Sequence, residues 1–397
     1  MAFKILTLNN IAVSGLDRLP RAHYEVASEL SRPDAILVRS ADMHKLEIPA
    51  SVLAVGRAGA GVNNIPVARL SERGVPVFNA PGANANAVKE LVLGSLFLAA
   101  RNLIAASAFV RNLDGSDEDI DKAVESGKKQ FVGFELPRRI LGVVGLGAIG
   151  VEVANAALTL GMPVIGYDPN ITVQRAWQLS AAVQKARSID DVFSRSNVVT
   201  VHVPLAADTR GLVNAARLKL MPRNGTLLNF SRSEIVDIDA VVAALDSGHL
   251  AKYVTDFPAR AIKDHPNVIC LPHLGASTAE AEENCAIMVA ENLKEFLEHG
   301  NVKSSVNFPE TILPRARKDR VAIPHKNVPN MVAQILSTLA AQGLNIADML
   351  NQSRGDISYT LVDLDSAASA DTVKRIAAIS GILSVRVLPV IESRAGP

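Results

Sequence analysis

Gly145, Gly147 and Gly150 stand at fixed spacing in "VVGLGAIG" (143–150), directly after a run of aliphatic residues. A turn needs one glycine, whereas three at this spacing let the backbone come close to something large and negative. The run "ILGVV" reads as a strand, "VEVANAALTL" as a helix closed by Gly161, and "PVIGYD" as a second strand ending at Asp168. Strand, turn, helix, strand and acid in that order describe a dinucleotide site. Gly145 allows the tight turn, Gly147 admits a pyrophosphate, and Gly150 brings helix and strand together, with the helix N-terminus facing the phosphates. Asp168 lies 23 positions after Gly145, where an acid binds the adenosine ribose. A carboxylate there accepts hydroxyl protons and repels a 2′-phosphate, so the expected cofactor is NAD rather than NADP.

Hydride transfer to such a cofactor needs a cation for the substrate's acid or carbonyl group and a proton carrier at the reacting oxygen. Arg232 in "NFSRSEIVD" and His273 in "CLPHLGAST" both fall at ends of later strands, where ligands of open parallel sheets lie. Arginine binds carboxylates with a planar, permanently charged fork. Histidine exchanges protons near neutrality. Position alone suits a surface arginine and a hydrogen-bonded structural histidine equally well. The remaining histidines, His202 in "VTVHVPL" among them, show no such combination and read as structural.

The elements that must carry these residues alternate along the chain. "KILTL" (4–8), "AILVRS" (35–40), "LAVGR" (53–57) and "VPVFN" (75–79) read as parallel strands separated by helices. A long apolar helix from roughly Asn84 to Leu113 follows as a strut, and the charged stretch 114–130 reads as surface cover. Six further strands, "RRILGVVG", "MPVIGYD", "NVVTVHVPL", "GTLLNFSRS", "KYVTDF" and "NVICLPH", make a complete doubly wound sheet. An amphipathic helix (277–300) ends at Gly300, and the proline- and charge-rich 307–319 reads as a linker. The last ~80 residues run strand, helix, strand, strand, helix, strand, a split βαβ unit.

The totals exclude several classes. With 20% charged residues and a formal net charge of +1, no field favours nucleic acid or anionic lipid. Cys270 and Cys285 lack any spacing that holds zinc and are too few for a disulfide framework, so no metal is expected and a reducing cytoplasm is. The N-terminus has no apolar stretch of signal-peptide length. "LVLGSLFLAA" (91–100), bracketed by Lys89, Glu90 and Arg101, reads as a buried helix rather than a membrane span.

Taken in order, "VVGLGAIG", "GYDP", "VHVPL…DT", "NFSRSEIVD" and "NVICLPHLGAST" resemble the signatures of the D-2-hydroxyacid dehydrogenase family over residues 1 to about 305. "VGRAGAGVNNIPV" and "VFNAPGANANAVKE" resemble the branch of that family acting on 3-phosphoglycerate. The fold so implied is α/β, with two doubly wound parallel-sheet lobes, flavodoxin-like and Rossmann. A substrate-binding domain spans 1–92, completed by 280–310, and an NAD-binding Rossmann domain spans 93–279. The resemblance implies that Arg232 anchors the substrate carboxylate and His273 takes the hydroxyl proton. Asp256 would hold the nicotinamide amide, and Ala148, Ile149, Val203, Phe230, Ser231, Gly275 and Ala276 would line the cofactor. Arg57, with Arg39 as the weaker candidate, would meet the substrate's phosphate or carboxylate. The implied reaction is NAD-dependent oxidation of 3-phospho-D-glycerate to 3-phosphohydroxypyruvate, the first step of L-serine biosynthesis, by a homodimer or homotetramer. A reductase of another 2-ketoacid (glyoxylate, hydroxypyruvate, 2-oxoglutarate) and a non-catalytic NAD-sensing scaffold are the alternatives.

Three departures from the family pattern stand out. The glutamate usually preceding the histidine is replaced, on gapless placement, by Ala261, which leaves an imidazolium at His273 without that charge. The family's "ARGG" reads Ser231-Arg232-Ser233-Glu234, and Asn63 replaces the usual aspartate of "GVDN". Beyond the linker, "VAIPHKNVPNMVAQILSTLAAQGLNIADM" resembles an ACT domain, a ferredoxin-like regulatory module (318–397) that binds amino acids at paired interfaces. That resemblance implies L-serine binding by His325, Asn327 and Asn345. Asn330 stands where the family has glycine, and a dimerising domain without a ligand is the alternative.

Overall fold

The computed structural model describes residues 2–315 and 319–388. The chain divides into two compact units, Met1–Asn84 with Ala279–Pro397, and Ala85–Thr278. Among the described residues the strands form three sheets.

The first sheet is parallel: β1 (Phe3–Leu8), β2 (Tyr24–Ala27), β3 (Ala35–Val38), β4 (Ala54–Arg57) and β5 (Val77–Phe78) lie in the order β2-β1-β3-β4-β5. The "AILV" of β3 is buried throughout, as expected of a strand covered on both faces. One cover is the helix Ala279–His299, whose Ala286, Val289 and Leu293 pack on Ile5, Leu37 and Ala54. Contact is so close that a Cβ on Gly56 would stand 2.7 Å from Val289 Cγ2. β2 lies outside the four expected strands of this lobe.

The second sheet, in the other unit, comprises β6 (Leu141–Val144), β7 (Val164–Tyr167), β8 (Gln184–Lys185), β9 (Val198–Val201), β10 (Gly225–Asn229), β11 (Leu250–Thr255) and β12 (Val268–Cys270). All pairs are parallel, in the order β12-β11-β10-β9-β6-β7-β8. The short β8 extends the expected six strands. Strand order reverses between β6 and β9, which opens a crevice at their carboxyl ends.

The long apolar helix expected over 84–113 is in fact two, Ala85–Arg101 and Leu103–Arg111, bent by 64°. Asn102 at the break is left-handed (φ 50°), a conformation asparagine tolerates. The cause is tertiary. Phe134 N–H donates to the Ala100 carbonyl at 2.9 Å, and the backbone at Gly133 passes so near that a Cβ would stand 2.0 Å from the same oxygen. A straight helix would need that carbonyl for its next turn. The charged stretch that follows forms an exposed helix, Asp117–Gly127, opened by a capping box of Ser116 and Asp119. No single helix among the described residues is long and apolar enough to cross a membrane.

The third sheet is antiparallel: β13 (Asp319–Lys326), β14 (Ile346–Arg354), β15 (Ile357–Leu364) and β16 (Arg386–Leu388), in the order β14-β15-β13-β16. Helices Met331–Ala341 and Ala370–Ala377 complete a split βαβ arrangement. Residues 316–318 of the expected linker and 389–397 of the expected C-terminal domain lie outside the described residues. The earlier part of the linker is tied down, since Val302 and Thr311 exchange two backbone hydrogen bonds of 2.9 Å. Arg320 is fully buried. It forks onto the Asp363 carboxylate (2.5 and 2.8 Å) and donates to the His299 carbonyl (2.9 Å) and Asn301 Oδ1 (3.2 Å).

His202, just past β9, shares a 2.9 Å hydrogen bond between Nε2 and Thr200 Oγ1. Desolvation lowers its pKa from 6.5 to about 3, so the ring is neutral in the folded chain. An unfolded histidine takes up a proton near pH 6.5 and the folded one does not. Stability from this group is therefore intact above about pH 6.5 and is lost as the pH falls towards 3. Melting curves between pH 7 and 5 should fall more steeply for the wild type than for His202→Asn, and equal slopes would refute this.

Candidate active site

Everything at this site is held at carboxyl ends of the parallel sheet of Ala85–Thr278. Gly145 follows β6 with φ 91°, its N–H bonded to the Tyr167 carbonyl (2.8 Å). A side chain there would meet the His202 carbonyl oxygen at 2.5 Å. Gly150 is tighter still, since its Cβ would lie 1.9 Å from the Gly145 carbonyl oxygen. Gly147 differs, with nothing within 4 Å of where its Cβ would be. It starts the helix Ala148–Thr159 without a side-chain cap, so first-turn N–H groups face outward with the positive end of the helix dipole. Gly147, Ala148 and Ile149 are partly accessible between buried neighbours.

Asp168 follows β7. Its Oδ2 accepts from Leu146 N–H and its Oδ1 from Asn170 N–H, both at 2.8 Å. Each carboxylate oxygen keeps capacity for a further donor. Beside it opens a cavity of about 500 Å³, apolar on the side of Leu146, Ile171, Leu179 and Val183 and basic where Lys185 and Arg187 line it. Past β9, Val203 packs beside Gly145.

Past β10, Ser231 Oγ donates to the Val201 carbonyl (2.7 Å) and Ser231 N–H to Asn229 Oδ1 (3.1 Å). The Asn229 amide donates to the Arg232 carbonyl (2.9 Å), so a fully buried asparagine pins the loop that presents Arg232. Arg232 is half-buried, with Nη1 donating to the Ser231 carbonyl (2.6 Å). Phe230, between Asn229 and Ser231, is buried in the cluster that includes Val143, Leu228 and Val254. Glu234 is held below the usual carboxylate range by the Ser233 hydroxyl and its own backbone N–H, with Arg210 and Arg232 adding positive charge.

Past β11, Asp256 is almost completely buried. Its Oδ2 accepts from the N–H groups of Leu274 and Gly275, both at 3.1 Å, while buried Oδ1 has no hydrogen-bond partner. Burial pushes the carboxyl up, and His273 pulls the other way. Gly275 lies against Val88 and Asp256, and Ala276 follows it on the same partly accessible turn. His273 is exposed and edge-on to Phe257, with ring centroids 4.9 Å apart and planes at 60°. β10 and β12 flank β11, so the strands leading to Arg232 and His273 run about 10 Å apart, with Asp256 between them.

Ala261 is exposed on a turn held down by the buried Ile262, and Asp264 pairs with Lys263. Phe257 and Asn229 were missed by sequence reasoning. The first shows as an aromatic beside the Asp256 strand end, the second as a polar residue ending an apolar strand.

The other candidates lie in the other unit. Arg57, at the end of β4, donates from Nε to the Arg39 carbonyl (3.0 Å). Gly59 leaves room for its guanidinium, since a Cβ there would be 2.1 Å from Nη1. Arg39 is paired with Glu282. His325, on β13, is buried with both ring nitrogens engaged, Nδ1 with the Lys326 carbonyl (2.8 Å) and Nε2 with Thr360 Oγ1 (2.9 Å). Asn327 donates to the Gly355 carbonyl (2.9 Å), and Asn345 bonds Asp365. Asn330 has φ 68°, which accounts for glycine being the usual residue there.

A helix N-terminus bared by glycine, an acid at the next strand end and a crevice at the switch point define the nucleotide-binding half of an α/β oxidoreductase. The family model for the NAD binding domain of D-isomer specific 2-hydroxyacid dehydrogenases matches residues 96–275. D-3-phosphoglycerate dehydrogenase of Haemophilus influenzae is 33% identical over 355 residues, 86% of this chain and 83% of the relative. The Dictyostelium discoideum protein of the same name is 29% identical over 412 residues, 97% of each chain. The NAD⁺-bound 3-phosphoglycerate dehydrogenase of Entamoeba histolytica shares the fold at 23% identity, with a TM-score of 0.60 over 79% of this chain and 100% of that one. The chain belongs to the D-2-hydroxyacid dehydrogenase family.

The matched family model is an NAD binding domain, and the residues of this chain fit NAD. Gly147 leaves space for a pyrophosphate, the Asp168 slot suits an adenosine, and the orphaned Asp256 Oδ1 offers an acceptor to a carboxamide. Gly147→Val should keep the wild-type melting temperature while weakening NAD binding tenfold or more by calorimetry. Gly150→Ala should lower the melting temperature itself, because its methyl has nowhere to go.

Proposed function

We propose that this chain oxidises 3-phospho-D-glycerate to 3-phosphohydroxypyruvate with NAD, in the first step of L-serine biosynthesis. The observation that carries the reading is Asp256 just past β11, with Arg232 and His273 past the flanking strands, in a chain aligned over most of its length with relatives named for that reaction. Arg232 binds the substrate carboxylate through its fork. NAD, when bound, accepts the hydride. His273 receives the hydroxyl proton on an imidazole nitrogen, with Phe257 limiting the tilt of its ring. Asp256 orients the coenzyme's amide, and Ala148, Ile149, Val203, Phe230, Ser231, Gly275 and Ala276 line its path. Arg57 binds the substrate's remaining acid group.

NADH formation at 340 nm from NAD and 3-phosphoglycerate tests this directly. His273→Gln should reduce kcat by about 10²–10⁴. Arg232→Gln should raise KM and lower kcat, since a positioning charge acts in both states. Turnover of glyoxylate or hydroxypyruvate without turnover of 3-phosphoglycerate would move the chain to the ketoacid reductases. Bound NAD without turnover of any of them would make it a sensor.

The chain acts as a homodimer or homotetramer in the cytoplasm. The helix Leu103–Arg111 supports association, because none of its residues is buried and Leu103, Ile104 and Val110 face outward. The two free cysteines suit a reducing compartment. L-Serine is the proposed effector. The exposed amides of Asn327 and Asn345 read its polar ends, while the locked ring of His325 holds the strand beneath them. Serine should inhibit the wild type, and Asn345→Ala should weaken that inhibition tenfold or more, with kcat unchanged in its absence. Indifference of the wild type to serine would remove the effector.

A further inference from the structure

We infer that a small oxyanion binds in a cavity beside Arg386 whose lining includes none of the nucleotide or substrate residues. The cavity measures about 110 Å³, room for several waters or one ion of phosphate size. Its walls come from the loop before β5 (Arg73, Gly74), from Phe296, from β15 (Tyr359) and from the segment entering β16 (Ser384, Arg386).

Arg386 is the reason to expect an anion. Its guanidinium lies over the Phe296 ring, 4.3 Å from the centroid, and Nη2 donates to the Phe296 carbonyl. Nε and Nη1 are buried and have no hydrogen-bond partner. The Tyr359 hydroxyl donates to the Gly300 carbonyl (2.7 Å), and its oxygen, beside Arg386, offers the guanidinium a neutral acceptor but no counter-charge. Among the described residues Asp34 adds only a long-range attraction, and Arg315 opposes it. The neighbouring buried cation, Arg320, is paired with the Asp363 carboxylate. Arg73 adds a second guanidinium to the wall, anchored by Nη1 to the Ile48 carbonyl (3.0 Å) and by Nη2 to the Pro49 carbonyl (2.7 Å). A desolvated guanidinium in the wall of a cavity, with a donor left unpaired on each of two edges, is matched by an oxygen of a small anion, which supplies the missing counter-charge. Phe296, Val52 and Leu53 line the remainder, which limits the guest to a compact one.

The ion would join the first parallel lobe to the antiparallel sheet and should stabilise both. Protein stripped of anions by desalting would be titrated with inorganic phosphate, sulfate and acetate while its melting temperature is followed. At least one should raise it saturably by about 2 °C or more, with one equivalent bound per chain by equilibrium dialysis. Arg386→Met should lose that shift and that equivalent while keeping the wild-type KM for 3-phosphoglycerate. Arg57→Ala should keep both, which separates this site from any phosphate binding by the substrate residues. Should Arg386→Met fail to fold, Arg386→Lys, which keeps the charge and loses the planar guanidinium, should bind at least tenfold more weakly. An equal shift in wild type and variant, or wild-type crystals in sulfate showing only water beside Nε and Nη1, would overturn the inference.

Discussion

The fold of the nucleotide unit depends on one contact, the pressing of Gly150 against the Gly145 carbonyl with no room for a β-carbon. It sets the start of the helix Ala148–Thr159 directly on the end of β6, and so fixes where the first-turn N–H groups point. Asp168 adds the second constraint by bonding Leu146 N–H from the neighbouring strand end. The turn is thus held from both sides while Gly147, between them, is left bare. Rigidity at two glycines and openness at the third are complementary demands, and only this residue choice meets both.

Buried polar side chains do the comparable work further along the same sheet edge. Asn229 uses its oxygen and its amide to hold the loop at Arg232. Asp256 spends one oxygen on the turn bearing Leu274 and Gly275 and leaves the other unpaired. A buried carboxylate with one oxygen satisfied and one orphaned is costly alone, which makes it a natural seat for an amide donor. The loop where the family has glutamate is instead anchored by the apolar Ile262, and His273 meets a ring edge in Phe257.

Much of this architecture is legible in the chain because parallel strands buried on both faces must be continuous aliphatic runs. "ILGVV", "NVVTV" and "GTLL" announce themselves in this way. β2 ("YEVA") and β8 ("QK") do not, since an edge strand needs no such run and pairs by backbone alone. The bend at Asn102 is invisible for another reason. Local propensity over 84–113 favours one helix, and the competitor for the Ala100 carbonyl comes from Phe134, 34 residues on. At the site, residue types suggest the chemistry, but pairwise contacts such as Phe257 with His273 arise only when two strand ends meet.

The buried fork of Arg320 has a consequence for how the C-terminal sheet could be moved between proteins. Its acceptors sit on both sides of the boundary: Asp363 within the sheet, the His299 carbonyl and Asn301 before it. A transplant cut at residue 319 would carry the cation and one counter-charge but abandon three of its oxygens, the Pro314 carbonyl among them, to the donor. Grafting this sheet onto another enzyme therefore requires the tail of the preceding helix to travel with it.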